Sequence, residues 1–195
     1  LFPAGDDHAE YVLSQQGDVY KFIEHVKGRS CVVQAGGYCG QFPALYGRLF
    51  DAVYTFEPNP ENFYCLARNA PNVHKFQAFL GDRRGLGGMN NNPGEEKNFG
   101  AWYRDGFGLI PTLMIDDLGV APDLIQLDME GGELDALKGG RRTIEAHRPV
   151  VVVENKPLRQ GNSNAIGYMQ ELGYAARQVT KWDWLLLPNS SPLSG

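Results

Sequence analysis

The stretch Val32-Val33-Gln34-Ala35-Gly36-Gly37-Tyr38-Cys39-Gly40, with Ala52-Val53-Tyr54-Thr55-Phe56-Glu57-Pro58 behind it, decides the fold. A short β-rich apolar run ends in a glycine turn. Half a βαβ unit later a second such run ends in a carboxylate, which is the pattern of a nucleotide site. Glycines let the chain turn sharply and bring backbone groups close to a ligand. An acid at the next strand tip can accept two hydrogen bonds from a ribose diol.

Outward from this pair, strands and helices alternate. Residues 7–26 read as helical, with Val19, Phe22, Ile23 and Val26 on one apolar face and Gly28 as the stop. A helix is expected over 40–50, another over 61–69 with Pro60 in its first turn, and a third strand over 73–79. Residues 123–128 are apolar on nearly every position before the acid, as suits a parallel strand covered on both faces. Helices follow over 132–138 and 143–147, then the β-branched run Val150-Val151-Val152-Val153 ending in Glu154. A helix over 166–172 precedes two late strands, 174–180 and 184–187, close enough in sequence to pair antiparallel. The alternation predicts an α/β Rossmann-like sheet, mostly parallel, with a late antiparallel pair and helices on both faces. One domain is expected over 1–195, comprising an N-terminal helical segment (1–29) and a variable substrate loop (81–111) rich in Gly, Asn and Pro. That loop carries Phe99, Trp102, Tyr103 and Phe107. Trp102 and Tyr103 serve, with Arg104, to select substrate, or the aromatics cover the core.

Composition narrows the partners. The chain of 195 residues is 43% hydrophobic and 21% charged, ordinary for a globular domain, and its net charge of −5 gives no bias toward nucleic acid. The pairs Arg83-Arg84 and Arg141-Arg142 are too short for a nucleic-acid stripe. Cys31, Cys39 and Cys65 are odd in number and lack close spacing, so they read as small buried hydrophobes and not as a disulfide or zinc framework. No run approaches transmembrane length and no basic-then-apolar leader opens the sequence. A cytoplasmic protein acting on a small molecule, with no membrane or nucleic-acid partner, is the expectation.

Ligands of an open parallel sheet bind beyond the carboxyl ends of its strands. Those ends carry Gln34 to Gly37, Glu57, Asp82, Asp128 with Glu130, and Glu154 with Asn155. These residues resemble the FkbM family of S-adenosylmethionine-dependent methyltransferases. The family's Asp-Val-Gly-Ala-Asn-x-Gly is matched by the segment from Gln34 to Gly40, its Phe-Glu-Pro-x-Pro by Phe56-Glu57-Pro58-Asn59-Pro60, and its Thr-Leu-Asp-Asp-Leu loosely by the segment from Thr112 to Leu118. Its Asp-x-Glu-Gly-x-Glu is matched by the segment from Asp128 to Glu133, followed by Leu137-Lys138-Gly139 and Arg148-Pro149. The resemblance covers roughly residues 30–155. It implies that Gly36, Gly37 and Gly40 cradle the methionine portion of S-adenosylmethionine, that Glu57 accepts from the ribose, and that Asp82 faces the adenine amino group beside Phe79 or Leu80. Gln34 replaces the family's acid. A glutamine oxygen can accept from the cofactor's amine but without charge assistance, which weakens binding or marks an inactive relative.

Bland roles stand beside these: Glu57 as an acid favoured by a helix N-terminus, Asp82 in an Asx-type turn, Glu130 as a helix cap, Asp128 on loop amides. The chemistry places Asp128 and Glu130 next to the transferred methyl, as base or substrate orienter. A resident metal is not expected, although Asp128 with Glu154 and Asn155 resembles the magnesium-site pattern of catechol-type O-methyltransferases. His147 reads as structural, and His8, His25 and His74 form no constellation. The reading that results is O-methylation of a small hydroxylated substrate such as a sugar. Its alternatives are an NAD(P)-dependent oxidoreductase, since Ala35 to Gly40 nearly fits a dinucleotide fingerprint, and an inactive cofactor-binding relative.

Overall fold

The computed structural model describes residues 1–7, 9–91, 98, 100, 102–156 and 164–189. In chain order the elements are α1 (Ala9–Ser14), α2 (Val19–Ile23), β1 (Cys31–Ala35), α3 (Gln41–Tyr46), β2 (Ala52–Phe56), α4 (Pro60–Asn69), β3 (His74–Phe76), β4 (Phe79–Leu80), β5 (Gly85–Asn91), β6 (Trp102–Leu113), β7 (Leu124–Leu127), α5 (Glu133–Gly139), α6 (Arg141–His147), β8 (Val150–Glu154), α7 (Ala165–Glu171), β9 (Tyr174–Gln178) and β10 (Asp183–Pro188). The main sheet runs β3-β2-β1-β7-β8-β10-β9. Its first five strands are parallel, and β10 enters antiparallel between β8 and β9, so the late antiparallel pair is present as expected.

The apolar runs explain the layers. Successive strand residues point to opposite faces. In β8, Val151 and Val153 join one core with Ala136 and Leu137 of α5, Ile144 of α6 and Met169 of α7. Val150 and Val152 join the other with Phe22 of α2, Tyr46 of α3 and Leu66 of α4. A strand with water on neither side can be apolar throughout. β1 and β7 are buried along their whole length.

Three expectations shift. The N-terminal helix is not continuous: a 3-10 turn over Gln15–Asp18 separates α1 from α2, at the poor helix former Gly17. Val19, Phe22, Ile23 and Val26 still pack together in the core. The expected third strand splits, because Phe79 and Leu80 pair with Thr112 and Leu113 and not with the main sheet. Most of the described part of 81–111 is not irregular but an antiparallel β5–β6 ribbon. Its glycines hide it from propensity. Yet they permit its close strand approach, since a Cβ on Gly108 would lie 2.4 Å from the Gly87 carbonyl oxygen. The register slips between Gly87 and Gly88, so residues 106–109 bulge outward and leave Phe107 90% exposed. Phe99 lies outside the described residues.

Candidate active site

The β1 turn is built by close approach. Gly36 has φ +82°, and a Cβ there would sit 1.9 Å from the Asp128 carbonyl oxygen. The Gly36 and Gly37 amides both donate to the Phe56 carbonyl, at 3.1 and 2.9 Å. These glycines therefore fasten the turn to β2 instead of pointing their N–H groups at a ligand. Tyr38 follows at φ 44°, and its amide donates to Glu57 Oε2 at 2.7 Å.

Glu57 is the hinge of the arrangement. Its other oxygen, Oε1, accepts from the Asn59 amide at 2.8 Å, and Asn59 Oδ1 in turn caps α4 by accepting from the Glu61 and Asn62 amides at 2.8 and 3.2 Å. With Pro60 at the first helical position, the segment from Glu57 to Pro60 is a helix start that also fixes a carboxylate. Burial pushes the Glu57 carboxyl up to about 8, aided by Asp128 and opposed by Asn59 and Asn62.

A second group of acids lies at the tips of β7 and β8. The chain after Asp128 turns through Glu130 at φ 55° and Gly131 at φ 107°. Glu133, at the first position of α5, reaches back, and its Oε1 accepts from the Met129 and Gly131 amides at 2.9 and 3.3 Å. Burial raises its carboxyl to about 7 despite those amides. Glu133 thus does the local capping expected of Glu130, and Glu130 is left to meet Lys156, whose Nζ donates to its Oε1 at 3.1 Å. Lys156 also lies 2.8 Å from Glu154 Oε1. One oxygen each of Asp128, Glu130 and Glu154 lies within 4.8 Å of the others. Burial and Asp128 push Glu154 up to about 10 against the pull of Lys156. Burial draws the Lys156 ammonium down, but Asp128, Glu154 and Glu130 outweigh it and hold the ammonium above its ordinary range.

One cavity of about 490 Å³ joins the two groups. Glu57, Gly36, Asp128, Glu130, Glu154 and Lys156 line it, together with Phe79, Leu80, Trp102, Tyr103 and Arg104, whose guanidinium lies 5.9 Å from the Phe79 ring centroid. Four of the expected site residues thus come together: Gly36, Glu57, Asp128 and Glu130. Gln34, Gly37, Gly40 and Asp82 are not among the lining residues. Gln34 is fully buried beneath the turn. Its Oε1 accepts from Thr55 Oγ1 at 2.5 Å, and its Nε2 donates to the Ala35 and Gly36 carbonyls at 3.2 and 2.8 Å. The amide is consumed internally, so its lack of charge does not bear on a ligand's amine. Gly37 has no room for a side chain because Thr55, Leu66 and Glu57 surround it, and Gly40 packs against Leu66. Asp82 forms a loose pair with Arg83 at 3.8 Å.

Asn155 does not line the cavity and Glu130 takes the third place beside Asp128 and Glu154, so the acid set differs from the expected one. His147 closes α6 outside the cavity, as its structural reading implied. Lys156 was missed, although its position two residues past the β8 acid was a signal. Tyr11, Val12 and Gln15 also line the cavity, and no periodicity in the N-terminal segment foretold that. Among the described residues, no helix is long and apolar enough to cross a membrane.

Residues 110–176 match the family described as the methyltransferase FkbM domain. The match takes in Asp128, Glu130, Glu133, Glu154 and Lys156 and leaves out the glycine turn and Glu57. No curated protein sequence matches the chain. Among solved structures it is similar to methyltransferase FkbM from Methylobacillus flagellatus KT, with a TM-score of 0.57 and 23% identity over 80% of this chain and 42% of that one. The chain therefore spans about two-fifths of that relative's length. It is also similar to precorrin-6y C5,15-methyltransferase from Geobacter metallireducens GS-15 (TM-score 0.55, 13% identity, 87% of each chain). A third is the magnesium protoporphyrin IX methyltransferase of Synechocystis PCC 6803 with bound SAM (TM-score 0.53, 10% identity, 95% of this chain and 83% of that one). These likenesses show the class I methyltransferase fold, and within it residues 110–176 are similar to the methyltransferase FkbM domain.

Proposed function

We propose that this chain methylates a hydroxyl group of a small molecule, such as a sugar or another hydroxylated metabolite, with S-adenosylmethionine as donor. The observation that carries the reading is the single cavity with the buried Glu57 carboxylate at one place and the Asp128–Glu130–Glu154 group at another.

The residues fit the cofactor. The cavity volume lies within the range of small-molecule sites. The Glu57 carboxylate accepts from the Tyr38 and Asn59 amides and from the Asn62 side chain, and a carboxylate has about four acceptor positions, so one remains for a ribose hydroxyl. Phe79 and Leu80 offer an apolar wall for a base. The close packing of Gly36 on Asp128 brings the β1 turn against the β7 tip, where the donor's methionine end and the acceptor would meet.

When bound, S-adenosylmethionine supplies an electrophilic methyl group on a sulfonium. The protein's share is alignment, exclusion of water and handling of the acceptor's proton. An alcohol must lose that proton as it attacks, and Asp128 or Glu130, both of which line the cavity, would take it or orient the acceptor. Trp102 and Tyr103 shape the acceptor side. The net charge of −5 fits a small-molecule acceptor better than a polyanion.

Calorimetry with S-adenosylhomocysteine tests the reading, with NAD as the control. Saturable binding of the first and none of the second is expected, followed by transfer of labelled methyl to at least one member of a hydroxylated acceptor library. Binding of NAD alone would return the chain to the oxidoreductase reading. Binding of S-adenosylhomocysteine without transfer to any acceptor would make it an inactive relative.

A further inference from the structure

Three carboxylates gathered within 4.8 Å form the kind of oxygen cluster that holds a divalent ion in many enzymes. Here the cluster already contains a positive charge. Lys156 extends from the segment just beyond β8, with its Nζ 2.8 Å from Glu154 and 3.1 Å from Glu130. Its side chain is 29% exposed while those of Glu130 and Glu154 are 9% and 11% exposed, so the ammonium is the more open partner of each pair, and all of them line the cavity. We propose that the Lys156 ammonium is the resident cation of this site, standing where a divalent ion would otherwise gather Asp128, Glu130 and Glu154, so that the acceptor is oriented without a metal.

The chemistry follows from the ammonium's inventory. It has three N–H donors and no acceptor. Two are directed to Glu130 and Glu154, and the third can hold the oxygen of an acceptor hydroxyl, the task that a metal performs in metal-dependent sites. The lysine is then a positioning residue that also holds Glu130 and Glu154 together. It excludes ions from its place by charge and by volume, since a hard cation needs its ligand oxygens about 2.0 to 2.6 Å away and an ammonium fills that space. The acceptor-orienting part rests on the methyl-transfer reading. The occupation of the cation's place does not.

The experiment titrates Mn²⁺ into chelator-treated protein and follows binding by calorimetry and by the loss of the free-ion spin resonance signal. Wild type should show no saturable site. Lys156→Met should gain one, with affinity at least about tenfold above any residual binding, because the Asp128, Glu130 and Glu154 oxygens are then left without the ammonium that fills the place among them. Adding Glu154→Gln to that variant should abolish the gain. Lys156→Arg keeps the charge and should bind no Mn²⁺, which provides a reading if Lys156→Met does not fold. A saturable Mn²⁺ site in wild type that Glu154→Gln removes, or in Lys156→Arg, would overturn the proposal. So would a folded Lys156→Met protein that gains no site. Failure of wild type to bind S-adenosylhomocysteine would instead strike the proposed function and leave the metal result standing.

Discussion

Glu57→Ala should separate the stability of the fold from the affinity of its site. Consider stability first. At pH 7 the native side chain is mostly protonated, because burial has raised its carboxyl to about 8, whereas in the unfolded chain it ionises near 4.5. Holding a proton ~2.5 pH units above the unfolded value costs about 3 kcal/mol, and the substitution removes that cost. Against it, the Tyr38 and Asn59 amides lose their acceptor, at about 1–3 kcal/mol each when buried. The two effects nearly cancel, so the variant should melt close to wild type. Affinity has no such compensation. A ribose hydroxyl donating to the remaining position of a charged acceptor contributes about 1.5–3 kcal/mol. At pH 7 the carboxyl must first lose its proton, which takes back about 1.4 kcal/mol. At pH 9, where the carboxyl is already ionised, nothing is taken back, and the loss of about 1.5–3 kcal/mol corresponds to S-adenosylhomocysteine binding weakened by roughly 10- to 150-fold.

The same reasoning fixes a pH dependence. A hydroxyl that donates a hydrogen bond binds the ionised carboxylate, so wild-type affinity should rise with pH up to about 8 and then level off. Glu57→Gln should bind weakly and lose the slope. Calorimetry at pH 6, 7, 8 and 9 gives the profile for both proteins. Affinity at pH 9 that changes less than about threefold in Glu57→Ala, or a wild-type profile flat across this range, would remove Glu57 from the site.

Gly36→Ala should cost more than about 3 kcal/mol of unfolding free energy in urea, because φ is +82° and the new Cβ would collide with the Asp128 carbonyl 1.9 Å away. Gln34→Ala should lose about 2–4 kcal/mol by the same assay, from the Thr55, Ala35 and Gly36 hydrogen bonds and the void left behind. Since that amide does not line the cavity, S-adenosylhomocysteine affinity of the folded variant should change less than about threefold. The unliganded protein should lose stability as pH rises. Glu57 and Glu133 bind protons more tightly folded than unfolded, so their contribution is full below about 4.5 and fades as pH climbs through about 7 to 8. Melting temperatures recorded from pH 5 to pH 9 should fall, and Glu133→Gln should flatten the fall between pH 5 and pH 7.

The sheet was legible because its central strands are continuous β-branched and apolar runs, each closed by a polar tip. Val150 to Val153 admits no other reading once Glu154 follows. Glu57 was legible for a related reason: an acid ahead of Pro58-Asn59-Pro60 stands at a strand end and a helix start together. The β5–β6 ribbon was not legible. Gly85, Gly87, Gly88, Gly106 and Gly108 carry no side chain by which a strand is recognised, and what forms them into a ribbon is backbone pairing at a distance. Gln34 misled in another way. Its position at the end of β1 suggested a ligand contact, but side chains on a strand alternate, and this one points beneath the turn to Thr55. Position in a motif places a backbone, and only packing decides which way the side chain faces.

That distinction also explains why the acid group differs from the expected one. Sequence order placed Glu154 and Asn155 side by side, yet adjacent residues near a strand end diverge. The Asn155 backbone N–H donates to the Trp182 carbonyl, just ahead of β10, and Asn155 does not line the cavity. Glu130 enters because Glu133 takes over the capping of the Met129 and Gly131 amides and the backbone turns through positive φ at Glu130 and Gly131. Removing that support should therefore act at a distance. In Glu133→Ala the two amides lose their acceptor, the turn has no fixed exit, and Glu130 is no longer held toward Lys156. Such a variant should lose acceptor turnover well before it loses S-adenosylhomocysteine binding, because Glu57 and the β1 turn are anchored independently on β2. Equal losses in both measurements would mean that the two halves of the cavity are one cooperative unit, not two separately built sites that meet at Gly36.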